Sequence, residues 1–165
     1  MRKFYFTIAI VVSCLVMPAR IQGQSAATNL DQMKLMKQFL GEWQSDLAKD
    51  TLLVFEIKQV GDVFVETDYL VVKDIKSVLS FWNYCYNPED RKFRIFALNT
   101  KGIYNTYIAS FISEKEWVQV MVQDFAADKV LRKDMFVFTS PTEVLTSTYT
   151  ADGIKKGEGK FTRKK

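Results

Sequence analysis

The chain contains no histidine in 165 residues. The commonest protein metal ligand and the usual general base near neutral pH are therefore both missing. Cysteine is scarce, with Cys14 and Cys85 alone. Cys14 falls in a segment read below as a targeting signal, so a disulfide framework within one chain is not expected. Without a histidine partner to lower its pKa, Cys85 reads as a small buried hydrophobe and not as a reactive thiol. No glycine-rich phosphate loop, no metal-ligand cluster and no Ser/His/Asp set occurs. Hence no catalytic residue, metal or cofactor is assigned. A strong charge of either sign is also missing. Arg2, Lys3 and Arg20 lie in the segment expected to be removed and no acid does, so the formal charge of +4 falls to about +1. A near-neutral surface gives no electrostatic footprint for nucleic acid. The basic residues at the end, from Lys155 to Lys165, read as a solvated edge strand and tail.

What is present is apolar and aromatic. Hydrophobic residues make up 48% and aromatic residues 14% of the chain, which excludes a disordered polymer and suits one domain with a substantial core. Residues 1–23 read as a secretory signal: Arg2-Lys3 is the positive start, Phe4 to Met17 the apolar run, and Pro18 breaks it. Cleavage is expected after Gly23, and the apolar run is too short to span a bilayer comfortably. No transmembrane segment is expected in the mature chain. A second reading takes Val11-Val12-Ser13-Cys14 as a lipobox with Cys14 lipidated. Both readings take the protein out of the cytoplasm, as a secreted, periplasmic or lipid-anchored protein. Residues 24–28 form a polar leader, and 29–165 the folded domain.

Asn29 or Asp31 can cap a helix whose stripe is Leu30, Met33, Met36, Lys37 and Leu40, with Phe39 beside it. Gly41 can take the positive dihedral that stops a helix. From Trp43 onward the period becomes two. Strands are expected at Trp43–Ala48, Leu52–Val60, Val63–Lys73, Ser77–Tyr86, Lys92–Asn99, Ile103–Ile112, Trp117–Phe125, Val130–Thr139, Glu143–Thr150 and Glu158–Arg163. Turn residues such as Gly61-Asp62, Asn87-Pro88 and Asp152-Gly153 separate them. Gaps this short leave no room for crossover helices, so neighbours are antiparallel. Nine or ten such strands in one small domain must close or stack, and closure removes exposed edges. The fold class expected is all-β: an up-and-down antiparallel barrel with a short N-terminal helix across one end.

Phe39-Leu40-Gly41-Glu42-Trp43, after a short helix and before a meander, resembles the Gly-x-Trp start of lipocalin-like (calycin-type) proteins. It is similar to the small secreted bacterial members of unknown function. The strand and turn layout extends the resemblance over residues 30–163. The resemblance implies that Trp43 sits at the closed barrel end under a basic residue from the last strand. Arg163 is at the matching place, so Gly41, Trp43 and Arg163 are expected to close the barrel. The nitrobindin-like haem barrels are more distantly similar, but that family is expected to hold haem through a histidine, which this chain lacks.

Alternation sorts each strand into two faces. If the mixed faces point inward, the barrel holds Trp82, Tyr84, Tyr107, Gln119, Met121, Arg132 and Tyr149, an apolar interior with a few polar groups. Arg132 is then placed to receive a ligand carboxylate, with Tyr149 donating beside it. The plain alternative is that Arg132 and Asp134, two apart on one face, pair with each other. Glu66 and Asp68 share a face of the third strand and read as solvated and outward, because unpaired acids are seldom buried. The leading functional expectation is a binding protein for a small apolar or amphipathic ligand. The alternative is a non-catalytic interaction or structural module whose barrel is filled by its own side chains. An enzyme ranks third, since catalysis would need two titrating groups converging in the barrel.

Overall fold

A computed structural model describes residues 30–164. The signal segment, the polar leader, Cys14 and Asn29 lie outside them. Helix α1 (Gln32–Met36) is capped by Asp31, whose carboxylate accepts from the Lys34 amide at 3.0 Å. It continues into a 3-10 turn over Lys37–Phe39. Gly41 then takes φ +104°, open to glycine and strained for other residues. Nothing lies within 4 Å of where its Cβ would be, so the requirement there is conformational and not steric.

Ten strands follow: β1 (Gly41–Ala48), β2 (Thr51–Val60), β3 (Val63–Val72), β4 (Ile75–Asn87), β5 (Lys92–Asn99), β6 (Tyr104–Phe111), β7 (Glu116–Val122), β8 (Val130–Ser140), β9 (Glu143–Thr150) and β10 (Lys155–Arg163). Each pairs antiparallel with its neighbour in sequence, and β1 pairs β10, so the sheet is a closed up-and-down barrel. This is the all-β architecture expected from the alternation, and a lipocalin-like topology is consistent with it. Several boundaries differ by one to three residues, β10 for example beginning at Lys155 and not Glu158, and two of the differences have a clear local cause. Lys73 and Asp74 both take positive φ, making a two-residue turn that lets Ile75 and Lys76 join β4. Strand β7 stops at Val122 because the Thr106 hydroxyl donates to the Val122 carbonyl and accepts from the Phe125 amide, folding 123–125 into a 3-10 turn.

The helix closes one end of the barrel. Met36 and Phe39 are buried there, and Phe39 packs edge-on against Trp117, Phe136 and Phe138. Gln32 is buried as well. Its amide donates to the Phe111 carbonyl at 3.0 Å and accepts from the Phe111 amide at 2.7 Å, as a strand neighbour would. Trp43 is fully buried and donates from Nε1 to the Phe39 carbonyl at 2.9 Å. Arg163, directly opposite it in register, lays its guanidinium 4.6 Å from the indole centre and donates to the Gln38 carbonyl. The stack expected from the sequence is present. Cysteine 85, read from sequence as buried, is exposed. Its neighbours Tyr84 and Tyr86 pack against the core, so alternation turns Cys85 outward.

Trp43→Ala should lower stability by about 3–5 kcal/mol, the usual cost of removing a buried large aromatic. A wild-type melting temperature would remove Trp43 from the closure. Gln32→Ala should cost about 1–3 kcal/mol by orphaning the Phe111 amide and carbonyl. Lys34→Ala, on the exposed side of the same helix, should stay within about 0.5 kcal/mol in the same denaturant series.

Candidate functional site

Above the helix lies a cavity of about 240 Å³ inside the barrel. Its floor is apolar: Met36 and Phe39 from the helical segment, Phe55 and Ile57 from β2, Trp117 from β7, Phe136 from β8 and Phe161 from β10. Its walls carry Glu66, Asp68, Trp82, Tyr84, Gln119, Arg132, Asp134, Thr146 and Thr148. The alternation of β3, β4, β7, β8 and β9 aims these side chains at one space.

The polar side chains form two groups. In the first, Tyr84 donates to Glu66 at 2.6 Å, while Ser80 and Trp82 donate to Asp68 at 2.6 and 2.7 Å. Burial, with the neighbouring Asp68 next, pushes the Glu66 carboxyl well above its ordinary value. The Tyr84 hydroxyl is likewise raised, by burial first and then by Glu66. In the second group, Asp134 accepts from Arg132 Nε at 3.0 Å and from Thr148 at 2.8 Å. Arg132 also donates to the Tyr107 hydroxyl at 3.2 Å. Burial pushes the Tyr107 hydroxyl up to about 12 despite the guanidinium beside it. The Trp82 and Tyr107 rings, 5.1 Å apart, join the two groups.

Of the residues expected from the sequence, Trp82, Tyr84, Gln119 and Arg132 line the cavity. Tyr107 stands behind Arg132 and is buried, and Met121 packs against the core beside it. Tyr149 is not there. It pairs with Lys133 on the face shared with exposed Leu145, while Thr146 and Thr148 take the interior. Arg132 and Asp134 pair with each other, the plain alternative to a free guanidinium.

Glu66 and Asp68 correct the other assignment. They point inward, and Glu66 is only 8% exposed. The outward reading rested on the rarity of buried unpaired acids, and here both acids are paired by donors from β4. Counting back from the Lys73-Asp74 turn without a bulge sets Glu66 opposite Phe81, an outward residue. A shift between Asp68 and Tyr69 sets it opposite Trp82 instead. A shift between Phe138 and Ser140 likewise sets Asp134 opposite Thr148 and not Tyr149. The extra residues, Leu79 on β4 and Thr139 on β8, bring these partners into register and leave the alternation of β3 and β9 unbroken. The signal available in the sequence was a donor set, Ser80, Trp82 and Tyr84 on one face of β4, awaiting acceptors.

Among the described residues, no three His, Cys, Asp or Glu side chains are grouped so as to hold a metal ion. No helix there is long and apolar enough to cross a membrane, which says nothing of strands. The chain matches no family model and no curated protein.

The raised Glu66 carboxyl contributes stability that is complete below its unfolded value and is lost as pH rises toward the folded one. Glu66→Gln should therefore match wild type in melting temperature near pH 4 and become progressively more stable than it as pH rises to 8. A constant difference across that range would place Glu66 outside this linkage.

Proposed function

We propose that this protein is a carrier that holds a small, partly apolar ligand inside its barrel, outside the cytoplasm. The observation that carries the reading is the interior itself. An interaction module would fill its barrel, whereas this one keeps a cavity with an apolar floor and a wall of oriented polar side chains. That is the usual make-up of a small-molecule site, and a volume near the lower end of such pockets (about 300–1,000 Å³) limits the ligand to a small one. The titrating groups that meet in the wall are engaged with one another and with fixed donors, Tyr84 on Glu66 and Arg132 on Asp134, which suits holding and orienting a ligand.

The order of charge, apolar run and small residues in 1–23 supports export by a cleaved signal. Purified from an exported fraction, the protein should begin at Gln24. A lipid-modified mass on Cys14 would replace that reading with the anchored one.

Native mass spectrometry of the protein purified without detergent tests the carrier reading. A reproducible extra mass that disappears on denaturation is expected. A bare polypeptide mass, unchanged after incubation with a cell lipid extract, would overturn it in favour of a barrel that acts through its outer surface.

A further inference from the structure

The cavity wall carries more acid than base. Glu66, whose carboxyl burial pushes toward its neutral form, faces it with Asp68 and Asp134, and among the described residues Arg132 is the one base that does. That base is already engaged: two of its nitrogens lie 3.0 Å from one oxygen of Asp134, and one of them also reaches Tyr107. Glu66 and Asp68, two residues apart on the inward face of β3, take donors from Tyr84, Ser80 and Trp82, none of them a cation, and Asp68 lies close enough to help raise the Glu66 carboxyl. Removing acids from water without a cation costs free energy that hydrogen bonds from neutral groups offset only in part. The fold places this cost beside an open volume and not in packed core. A cation entering that volume would be attracted strongly, because the interior screens charge weakly. An anion would meet two acids and a base already paired.

We propose that the cavity selects a small amphiphile bearing an ammonium or similar cationic group, which sits against Glu66 and Asp68 while its apolar body rests on Met36, Phe39 and Phe55. This deepens the carrier reading and rests on it. It also reverses the polarity that Arg132 suggests when read alone, since a ligand carboxylate would have to displace Asp134.

The test compares three probes of equal chain length, octylammonium, 1-octanol and octanoate, titrated into the protein at pH 7 and followed by calorimetry. Octylammonium should bind at least about tenfold more tightly than octanol, and octanoate more weakly than either, a tenfold ratio corresponding to about 1.4 kcal/mol. The double variant Glu66→Gln, Asp68→Asn should bring octylammonium to the affinity of octanol and leave octanol unchanged. Octanoate binding as tightly as octylammonium would overturn the charge selection while leaving the carrier reading intact, as would an octylammonium preference that survives in the double variant. Failure of all three probes to bind would overturn the carrier reading and this inference with it.

Discussion

The barrel closes on a narrow seam, and the stack of Arg163 on Trp43 holds it. Two residue pairs join β1 to β10, Trp43 with Arg163 and Gln44 with Thr162, and one further backbone bond runs from the Lys164 amide to the Glu42 carbonyl at 2.9 Å. Backbone pairing over so short a length is weak, so side chains must complete the joint. Trp43 and Arg163 do this twice over. They stack on each other, and each donates to a carbonyl left free where the N-terminal helical segment ends, Phe39 for the indole and Gln38 for the guanidinium. Beside them, Glu42 binds Lys164 at 2.8 Å and Lys76 at 3.4 Å, and Lys164 holds the Glu42 carboxyl below its ordinary value. These outer ion pairs are exposed and add little. The buried stack joins first strand, last strand and helix in a single contact.

Closing that end determines what the rest of the interior can be. Phe39 and Met36, held in place by the same contact, pack down on Trp117, Phe136 and Phe138 and fill the lower barrel. The volume that remains lies above them, bounded below by rings and above by acids, hydroxyls and one guanidinium. Acids in such a place require donors. Each of the three has at least one within 3.0 Å, supplied from a neighbouring strand or from the next inward position on its own. The polar wall is thus pre-ordered by cross-strand geometry, in a part of the barrel where few waters would otherwise satisfy it.

The architecture was legible in the residues. A period of two from Trp43 onward, interrupted every ten to fifteen residues by Gly, Pro, Asn or Asp, leaves little choice but an antiparallel meander. The Gly41-Glu42-Trp43 start with Arg163 at the far end indicated where the meander joins. These features are local, or depend on one long-range pair, and local signals survive in a linear string. The cavity was legible in part. Trp82, Tyr84, Gln119 and Arg132 line the cavity, on faces that alternation sorts but does not by itself turn inward. Gln32 was overlooked because a single polar residue in a five-residue helix carries no pattern, and its role exists only when the end of β6 lies beside it.

By itself the sequence determined the class and the order of the strands, because alternation and turn chemistry act over a few positions; the pairing of Trp43 with Arg163 followed from the resemblance that the Gly41-Glu42-Trp43 start carries. Only the tertiary structure decided which face of β3 and of β9 looks inward. Two β-bulges, at Asp68/Tyr69 and at Phe138/Ser140, each shift the pairing by one residue. The extra residues are Leu79 of β4 and Thr139 of β8; they set Trp82 beside Glu66 and Thr148 beside Asp134, while β3 and β9 alternate without interruption. A bulge leaves the composition and period of its strand nearly untouched, yet it reverses every side chain beyond it. Which polar partners meet across the cavity wall is therefore a property of register as well as of sequence pattern.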